Sequence, residues 1–403
     1  MYFCIIKLQS MENFFQRHAY LIEHTDCTMT RPLMNEIDWN CRMIGIKGPR
    51  GVGKTTFLLQ YAKKNFNVNL GRCLYINMNS FYFQGRGIVD FAEEFIKRGG
   101  KVLIIDQVFK QNGWQDELCE CFHRFPQLHI IYATTTVDYP NADQHELSKI
   151  SKCYVLHGFS FREYINLQTQ VNLPKITLDD ILNRTELTQK NILIKVRPWN
   201  YLQNYLHHGY YPFYMENHNF TENLLKSINM MLEVDILFIK QIDVKYLPRL
   251  KKLLYLLALS GNTSPNVSNL AKEIGTSRAT VMNYMNNLEE ARLIHQIFKS
   301  QGLAPKKPAR ILMHNTNLLY SILSDAPSEQ EVMETFFTNS IWRHHSIEIS
   351  KKPGLFIIDG DKQICVCDKN KKKRKEQGIY YARYNAEVGR DNDIPIWMFG
   401  FLY

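Results

Sequence analysis

The most constraining stretch of this 403-residue chain is Gly48-Pro49-Arg50-Gly51-Val52-Gly53-Lys54-Thr55. It fits G-x-x-x-x-G-K-[ST], the loop that cradles nucleotide phosphates. The flanks agree with it. Arg42-Met43-Ile44-Gly45-Ile46-Lys47 reads as a short strand entering the loop, and Thr55-Thr56-Phe57-Leu58-Leu59-Gln60-Tyr61-Ala62 as the first turns of a helix leaving it. Glycines let the backbone curl so that successive N–H groups face one anion, and the helix N-terminus adds its partial positive charge. In such a loop Lys54 reaches the β- and γ-phosphates and the Thr55 hydroxyl ligates Mg²⁺. The candidate nucleotide-binding residues are therefore Gly48, Pro49, Arg50, Gly51, Val52, Gly53, Lys54, Thr55 and Thr56.

Downstream, the pattern is that of an open α/β sheet. Arg72 to Met78 is a second strand, and Ile88, Phe91, Ala92 and Phe95 fall at helical spacing before Gly99-Gly100 stops the helix. Val102-Leu103-Ile104-Ile105-Asp106 is a buried parallel strand that delivers a carboxylate at its C-terminal edge, where such sheets hold ligands. With a phosphate loop upstream, Asp106 reads as the Walker B acid, holding Mg²⁺ through water; the plainer reading is a capping Asp after a core strand. Thr55 and Asp106 are thus the candidate metal residues. A helix from Trp114 to Phe125 leads to a further strand, Leu128 to Thr134. The hydroxyls of Thr134, Thr135 and Thr136 sit where a polar sensor of the γ-phosphate belongs, and equally suit β-propensity plus a turn. A strand between the phosphate-loop strand and the Asp106 strand in sequence, with another following, indicates the additional-strand class of P-loop sheets.

Length and composition set outer bounds. The chain is long enough for two to four compact units. Apolar content of 45% and charged content of 22% are ordinary for a globular protein. No run of eighteen apolar residues occurs, so no membrane span is expected, and the scattered cysteines read as those of a reduced, cytoplasmic protein. The opening Met1-Tyr2-Phe3-Cys4 lacks a basic leader, and Met1 and Met11 are both candidate starts. Nine cysteines are scattered without a C-x-x-C, so buried thiols are expected rather than zinc ligands. The net charge of +10 is concentrated partly in Lys369, Lys371 to Lys373, Arg374 and Lys375, a solvated loop or a phosphate-backbone contact.

Residues 17–40 read as a leader helix whose Leu33, Met34, Ile37 and Trp39 pack under the first strand. Residues 157–245 are helical in pattern and form a lid-like region, and residues 246–315 read as a winged helix-turn-helix. In the latter, Leu250, Leu253, Leu254 and Leu257 make one apolar stripe, Gly275 makes the tight turn, and Ser277 caps the next helix. If that helix read DNA, Arg278, Thr280, Asn283 and Asn287 would face the groove, but Glu289 and Glu290 stand at its end. A protein partner is an equal alternative for this surface.

The whole chain resembles prokaryotic AAA-family ATPases that join a P-loop domain to a winged helix and a nuclease-like C-terminal domain. The resemblance runs through Leu33-Met34-Asn35-Glu36-Ile37-Asp38-Trp39, the phosphate loop, Phe95-Ile96-Lys97-Arg98-Gly99-Gly100-Lys101 and Gly158-Phe159-Ser160-Phe161-Arg162-Glu163-Tyr164. It continues in Gly209-Tyr210-Tyr211-Pro212-Phe213 and closes in Ile394 to Phe401. It implies ATP and Mg²⁺ as ligands and leaves room for an oligomer. It also implies a division into a P-loop ATPase domain (17–156), the lid-like region (157–245), the winged helix (246–315) and an inactive nuclease-like α/β domain (316–403). Two departures stand out. The family follows its Walker B Asp with Glu, which polarises the attacking water; here Gln107 occupies that place. The family carries arginines after the sensor strand; here Glu146-Leu147-Ser148-Lys149-Ile150 offers only Lys149. Gln107 and Thr134 are the candidate catalytic residues. A metal nuclease needs an acid followed by acid-x-Lys, yet the strand Gln363-Ile364-Cys365-Val366-Cys367-Asp368-Lys369 puts cysteine where the acid belongs, with Asp359 and Asp361 nearby. The sequence thus favours an ATP-binding switch with slow hydrolysis. A competent ATPase with its catalytic group elsewhere and a DNA-binding regulator are the competing classes.

Overall fold

The computed structural model describes residues 2–137, 145–216, 219–261, 263–299, 307–350, 352, 354–368 and 377–403, with side chains from Met11 onward. The chain divides into two compact units, Met1–His157 and Gly158–Tyr403.

The first unit is built on five parallel strands: β1 (Met43–Lys47), β2 (Cys73–Asn77), β3 (Val102–Asp106), β4 (His129–Thr134) and β5 (Lys152–Val155). Their order across the sheet is β2-β3-β4-β1-β5. β4 therefore lies between the phosphate-loop strand β1 and the Asp106 strand β3, the arrangement expected of the additional-strand class. The helices are α1 (Tyr2–Glu23), α2 (Leu33–Glu36), α3 (Lys54–Asn65), α4 (Ile88–Lys97), α5 (Trp114–Arg124) and α6 (Leu147–Ile150). The sheet separates two apolar layers. One gathers Leu74, Ile76, Phe91, Phe95, Leu103, Ile105 and Tyr132 under α4 and α5. The other gathers Ile44, Ile46, Phe57, Leu58, Ile104 and Ile131 under α3. β3 is buried at every position, which is why its sequence is an unbroken apolar run.

One expectation needs correction here. The leader is not one helix over 17–40: α1 ends at Glu23 and only Leu33–Glu36 is helical again. Asp26 intervenes, accepting the backbone N–H of Thr28 at 2.8 Å and its hydroxyl at 2.8 Å, a local turn that competes with helix. Strand β5 carries no clear sequence signal, because three of its residues are half-buried and Lys152 is exposed.

The second unit begins with helices α7 (Phe161–Thr169), α8 (Leu178–Asn183), α9 (Thr185–Leu193), α10 (Trp199–Asn204) and α11 (Phe220–Met230). Tyr210 and Tyr211 are buried in the core of this unit. Next come α12 (Leu247–Leu259), α13 (Val267–Ile274) and α14 (Arg278–Glu290), then β6 (Ile294–Lys299) and β7 (Arg310–Met313). Gly275 turns the chain at φ 66°, and the Ser277 hydroxyl accepts the Thr280 N–H at 3.1 Å to start α14. Two more helices, α15 (Thr316–Ile322) and α16 (Glu329–Ile341), precede β8 (Ile347–Ile349), β9 (Leu355–Ile358), β10 (Lys362–Cys367), β11 (Ile379–Arg383) and β12 (Asp393–Pro395). These strands continue the β6–β7 pair into one seven-stranded sheet, ordered β12-β11-β10-β9-β8-β6-β7. The seam is a short parallel pairing, Phe298 with Glu348 and Lys299 with Ile349. The basic run Lys369 to Lys375 lies outside the described residues.

Candidate functional site

The candidate site lies at the C-terminal edge of the five-stranded sheet. Gly51 and Gly53 take φ values of 81° and 89°, a left-handed conformation that side chains rarely adopt. A Cβ on Gly48 would stand 2.3 Å from the carbonyl oxygen of Leu156, so only glycine lets the loop pass. Arg31, buried, braces the loop by donating to the Val52 carbonyl at 3.4 Å and the His157 carbonyl at 2.8 Å. Lys54 Nζ donates to the carbonyls of Gly48 at 2.6 Å and Pro49 at 2.8 Å, so its ammonium lies on the loop it is expected to serve.

Asp106 is 1% exposed. Its Oδ2 accepts the Thr55 hydroxyl at 2.6 Å and the Tyr75 hydroxyl at 2.8 Å, and its Oδ1 accepts the Gln107 backbone N–H at 2.9 Å. Loop hydroxyl and strand-end carboxylate, fifty-one residues apart in sequence, are therefore in direct contact. Asp106 does more than cap its strand. Gln107 takes φ 57° and ψ 44°, a left-handed backbone on a residue other than glycine, at the point where β3 turns away. Thr134 is fully buried, and its hydroxyl has no hydrogen-bond partner among the described residues. The Thr135 hydroxyl is instead used locally, accepting the Val137 N–H at 3.3 Å. Pro49 and Val52 are buried in the loop, Arg50 lies with its guanidinium 5.5 Å from the Phe109 ring centre, and Thr56 is exposed on the first turn of α3. Lys149 is exposed on α6.

Sequence reasoning missed Tyr75 and Asn77. Both lie on β2, and Asn77 pairs in register with Asp106. Asn77 Nδ2 donates to the Tyr75 hydroxyl at 3.4 Å. Burial, with the neighbouring Asp106 carboxylate, pushes the Tyr75 phenol far above its ordinary range, so it stays a donor. The available signal was position: polar groups near a strand's C-terminal end in a sheet of this class stand at the ligand edge.

The other candidate residues lie in the second unit. Asp359 and Asp361 flank the turn before β10, where Lys362 Nζ approaches them at 3.9 and 3.0 Å, while Asp368 follows the far end of that strand. Among the described residues no group of three or more His, Cys, Asp or Glu could hold a metal ion. Cys365 and Cys367 are buried, and Cys367 Sγ accepts from Arg383 Nη1 at 3.2 Å. On α14, Thr280, Asn283 and Asn287 line a cavity of about 620 Å³ together with Lys240, Tyr246 and Arg249. Glu289 turns inward to accept the Gln296 N–H at 2.8 Å, and Glu290 is paired with Lys240 at 2.7 Å.

A glycine loop, a helix N-terminus, a hydroxyl and a strand-end acid at one edge of a parallel sheet define a P-loop module. Residues 40–165 match the family model described as an AAA domain. Residues 200–328 match a second family model, described only as a domain of unknown function. The uncharacterized protein MJ1637 of Methanocaldococcus jannaschii is 24% identical over 269 residues, which cover 64% of this chain and 56% of that one. This chain therefore matches little more than half of that relative's length. PCH-2 of C. elegans aligns at TM-score 0.24 and 15% identity, covering 41% of this chain and 46% of that one. AMPPCP-bound DnaA from Aquifex aeolicus aligns at TM-score 0.23 and 17% identity, covering 68% and 86%. TM-scores this low carry no argument about fold or function. No helix of the described residues is long and apolar enough to cross a membrane.

Proposed function

We propose that this protein is an AAA-type switch that binds ATP with Mg²⁺ and hydrolyses it slowly. The observation that carries the reading is the 2.6 Å bond from the Thr55 hydroxyl to Asp106. It joins two hard oxygen donors of the kind Mg²⁺ takes, beside a loop shaped for phosphate. The glycine-only approach at Gly48 and the orphaned Thr134 hydroxyl fit the same ligand. Gly48 to Thr56 would hold the phosphates, with Lys54 as the cation, and Thr55 and Asp106 would hold the metal. The bound metal supplies charge neutralisation at the transferring phosphoryl group. Gln107 can orient a water through its amide but hardly accept its proton, which is the reason for slow turnover. Thr134 would report the γ-phosphate, and the helical region 157–245 would relay that state to the winged helix.

The surface of α14 supports a partner for that winged helix. The cavity beside Thr280, Asn283 and Asn287 presents amides, hydroxyls and Arg249, together with Glu290 in its pair with Lys240. DNA or a protein segment would dock there, and salt-dependent DNA binding with and without ATP separates the two.

The test of the nucleotide reading is a titration of a fluorescent ATP analogue into wild type and Lys54→Ala, with steady-state phosphate release measured on both. Loss of a charge-assisted contact worth about 1.5–3 kcal/mol should weaken binding by roughly 10- to 100-fold. Equal affinities would remove the assignment, and fast wild-type turnover would remove slow hydrolysis while leaving binding intact.

A further inference from the structure

We infer that Tyr75 is a positioning residue for the metal site, holding Asp106 in the orientation in which it meets Mg²⁺. The inference rests on the nucleotide reading above and names a residue that the loop motif does not contain. An aspartate carboxylate turns easily about its last torsion, because that well is broad. Asp106 is denied this freedom. The hydroxyls of Thr55 and Tyr75 converge on Oδ2, and the Gln107 backbone N–H holds Oδ1. Thr55, in the first turn of α3, is itself a candidate metal ligand, so its hydrogen bond cannot be a fixed reference. Gln107 belongs to the turn that leaves β3. Tyr75 is the support drawn from a neighbouring strand of the rigid sheet.

Tyr75 is itself fixed. Its backbone N–H donates to Nδ1 of the buried His18 on α1 at 3.2 Å, and its hydroxyl receives the Asn77 amide at 3.4 Å. Strands β2 and β3 pair in register from Cys73–Val102 to Asn77–Asp106, so Tyr75 and Asp106 keep a constant offset. A partner that orients a metal-binding carboxylate without touching the metal is an outer-shell group, and loss of such groups typically costs 10- to 100-fold in metal affinity.

The experiment measures Mg²⁺ affinity, not turnover. A fluorescent ATP analogue is titrated into the full chain in EDTA and then at rising Mg²⁺, for wild type, Tyr75→Phe, Asp106→Asn and the double variant. Tyr75→Phe should leave affinity in EDTA unchanged and raise the Mg²⁺ requirement about tenfold. The double variant should be no worse than Asp106→Asn, since Tyr75 acts through that carboxylate. Effects that simply add would overturn the inference, as would an unchanged Mg²⁺ requirement in a Tyr75→Phe protein that melts like wild type. If Tyr75→Phe does not fold, Asn77→Ala takes its place. Removing the amide that fixes the phenol should raise the Mg²⁺ requirement by a smaller factor, about twofold, and no change would overturn the inference. A wild type that binds the analogue in neither condition would instead sink the nucleotide reading, and this inference with it.

Discussion

The C-terminal ends of strands β3 and β10 offer a comparison within one chain. Each strand leads toward a place where the sequence can be read for metal chemistry. At β3 the acid is present, and it gathers hydroxyls and an N–H from three different segments. At β10 the corresponding positions are Cys365 and Cys367, buried, with Arg383 on the second sulfur. The nearby buried acids, Glu331 and Glu334 on α16, do something else. Glu334 makes an ion pair with Arg310 and accepts from Gln330 at 2.7 Å, while burial and Glu334 push Glu331 up to about 7. Equivalent secondary structure therefore leads to different chemistry. An acid that collects donors from a helix start, a neighbouring strand and the turn after its own strand can serve a ligand; an acid held by a buried arginine, as Glu334 is, serves the fold.

The largest expected effect tests the structural half of that contrast. Arg310→Ala leaves Glu334 buried beside Glu331 without its cation, and should cost about 3–5 kcal/mol of stability by denaturant unfolding. Replacing both partners, Arg310→Met with Glu334→Leu, should recover most of the loss. A single variant as stable as wild type would break the comparison.

A somewhat smaller effect concerns pH. Burial pushes His18 down to about 4, below its unfolded value of 6.5, so the fold favours the neutral ring. That contribution is complete above pH 6.5 and is lost as pH falls toward 4, amounting to about 3 kcal/mol for the full shift. His295 on β6 is pushed further, to about 3, by burial and by Arg292, so both units should lose stability over acid pH. His18→Gln keeps an acceptor for Tyr75 N–H and should flatten the loss between pH 6.5 and 4 in thermal melts. An unchanged pH profile would remove His18 from the account.

The smallest effect is the sharpest for function. Gln107→Glu supplies a carboxylate beside Asp106 and should raise phosphate release about tenfold, roughly 1.4 kcal/mol in the barrier, with little change in ATP affinity. A variant no faster than wild type would place the catalytic group elsewhere.

The residues themselves determined the elements of the ligand edge. Gly48 to Thr55 is a local motif whose conformation follows from its glycines, and the apolar run ending in Asp106 follows from burial on both faces of a parallel sheet. Gly275 and Ser277 likewise mark a turn and a cap in sequence that the structure contains. Only tertiary structure decided what those elements meet. Tyr75 reads as one more strand aromatic until β2 lies beside β3 and its hydroxyl reaches Asp106. His18 reads as a helix residue until α1 covers the open edge of β2. The joining of β6 and β7 to the C-terminal strands rests on the short pairing with β8, which no local pattern records. Local conformation depends on neighbours in sequence, whereas a hydrogen bond between strands depends on sheet order. That order is set by packing over the whole unit.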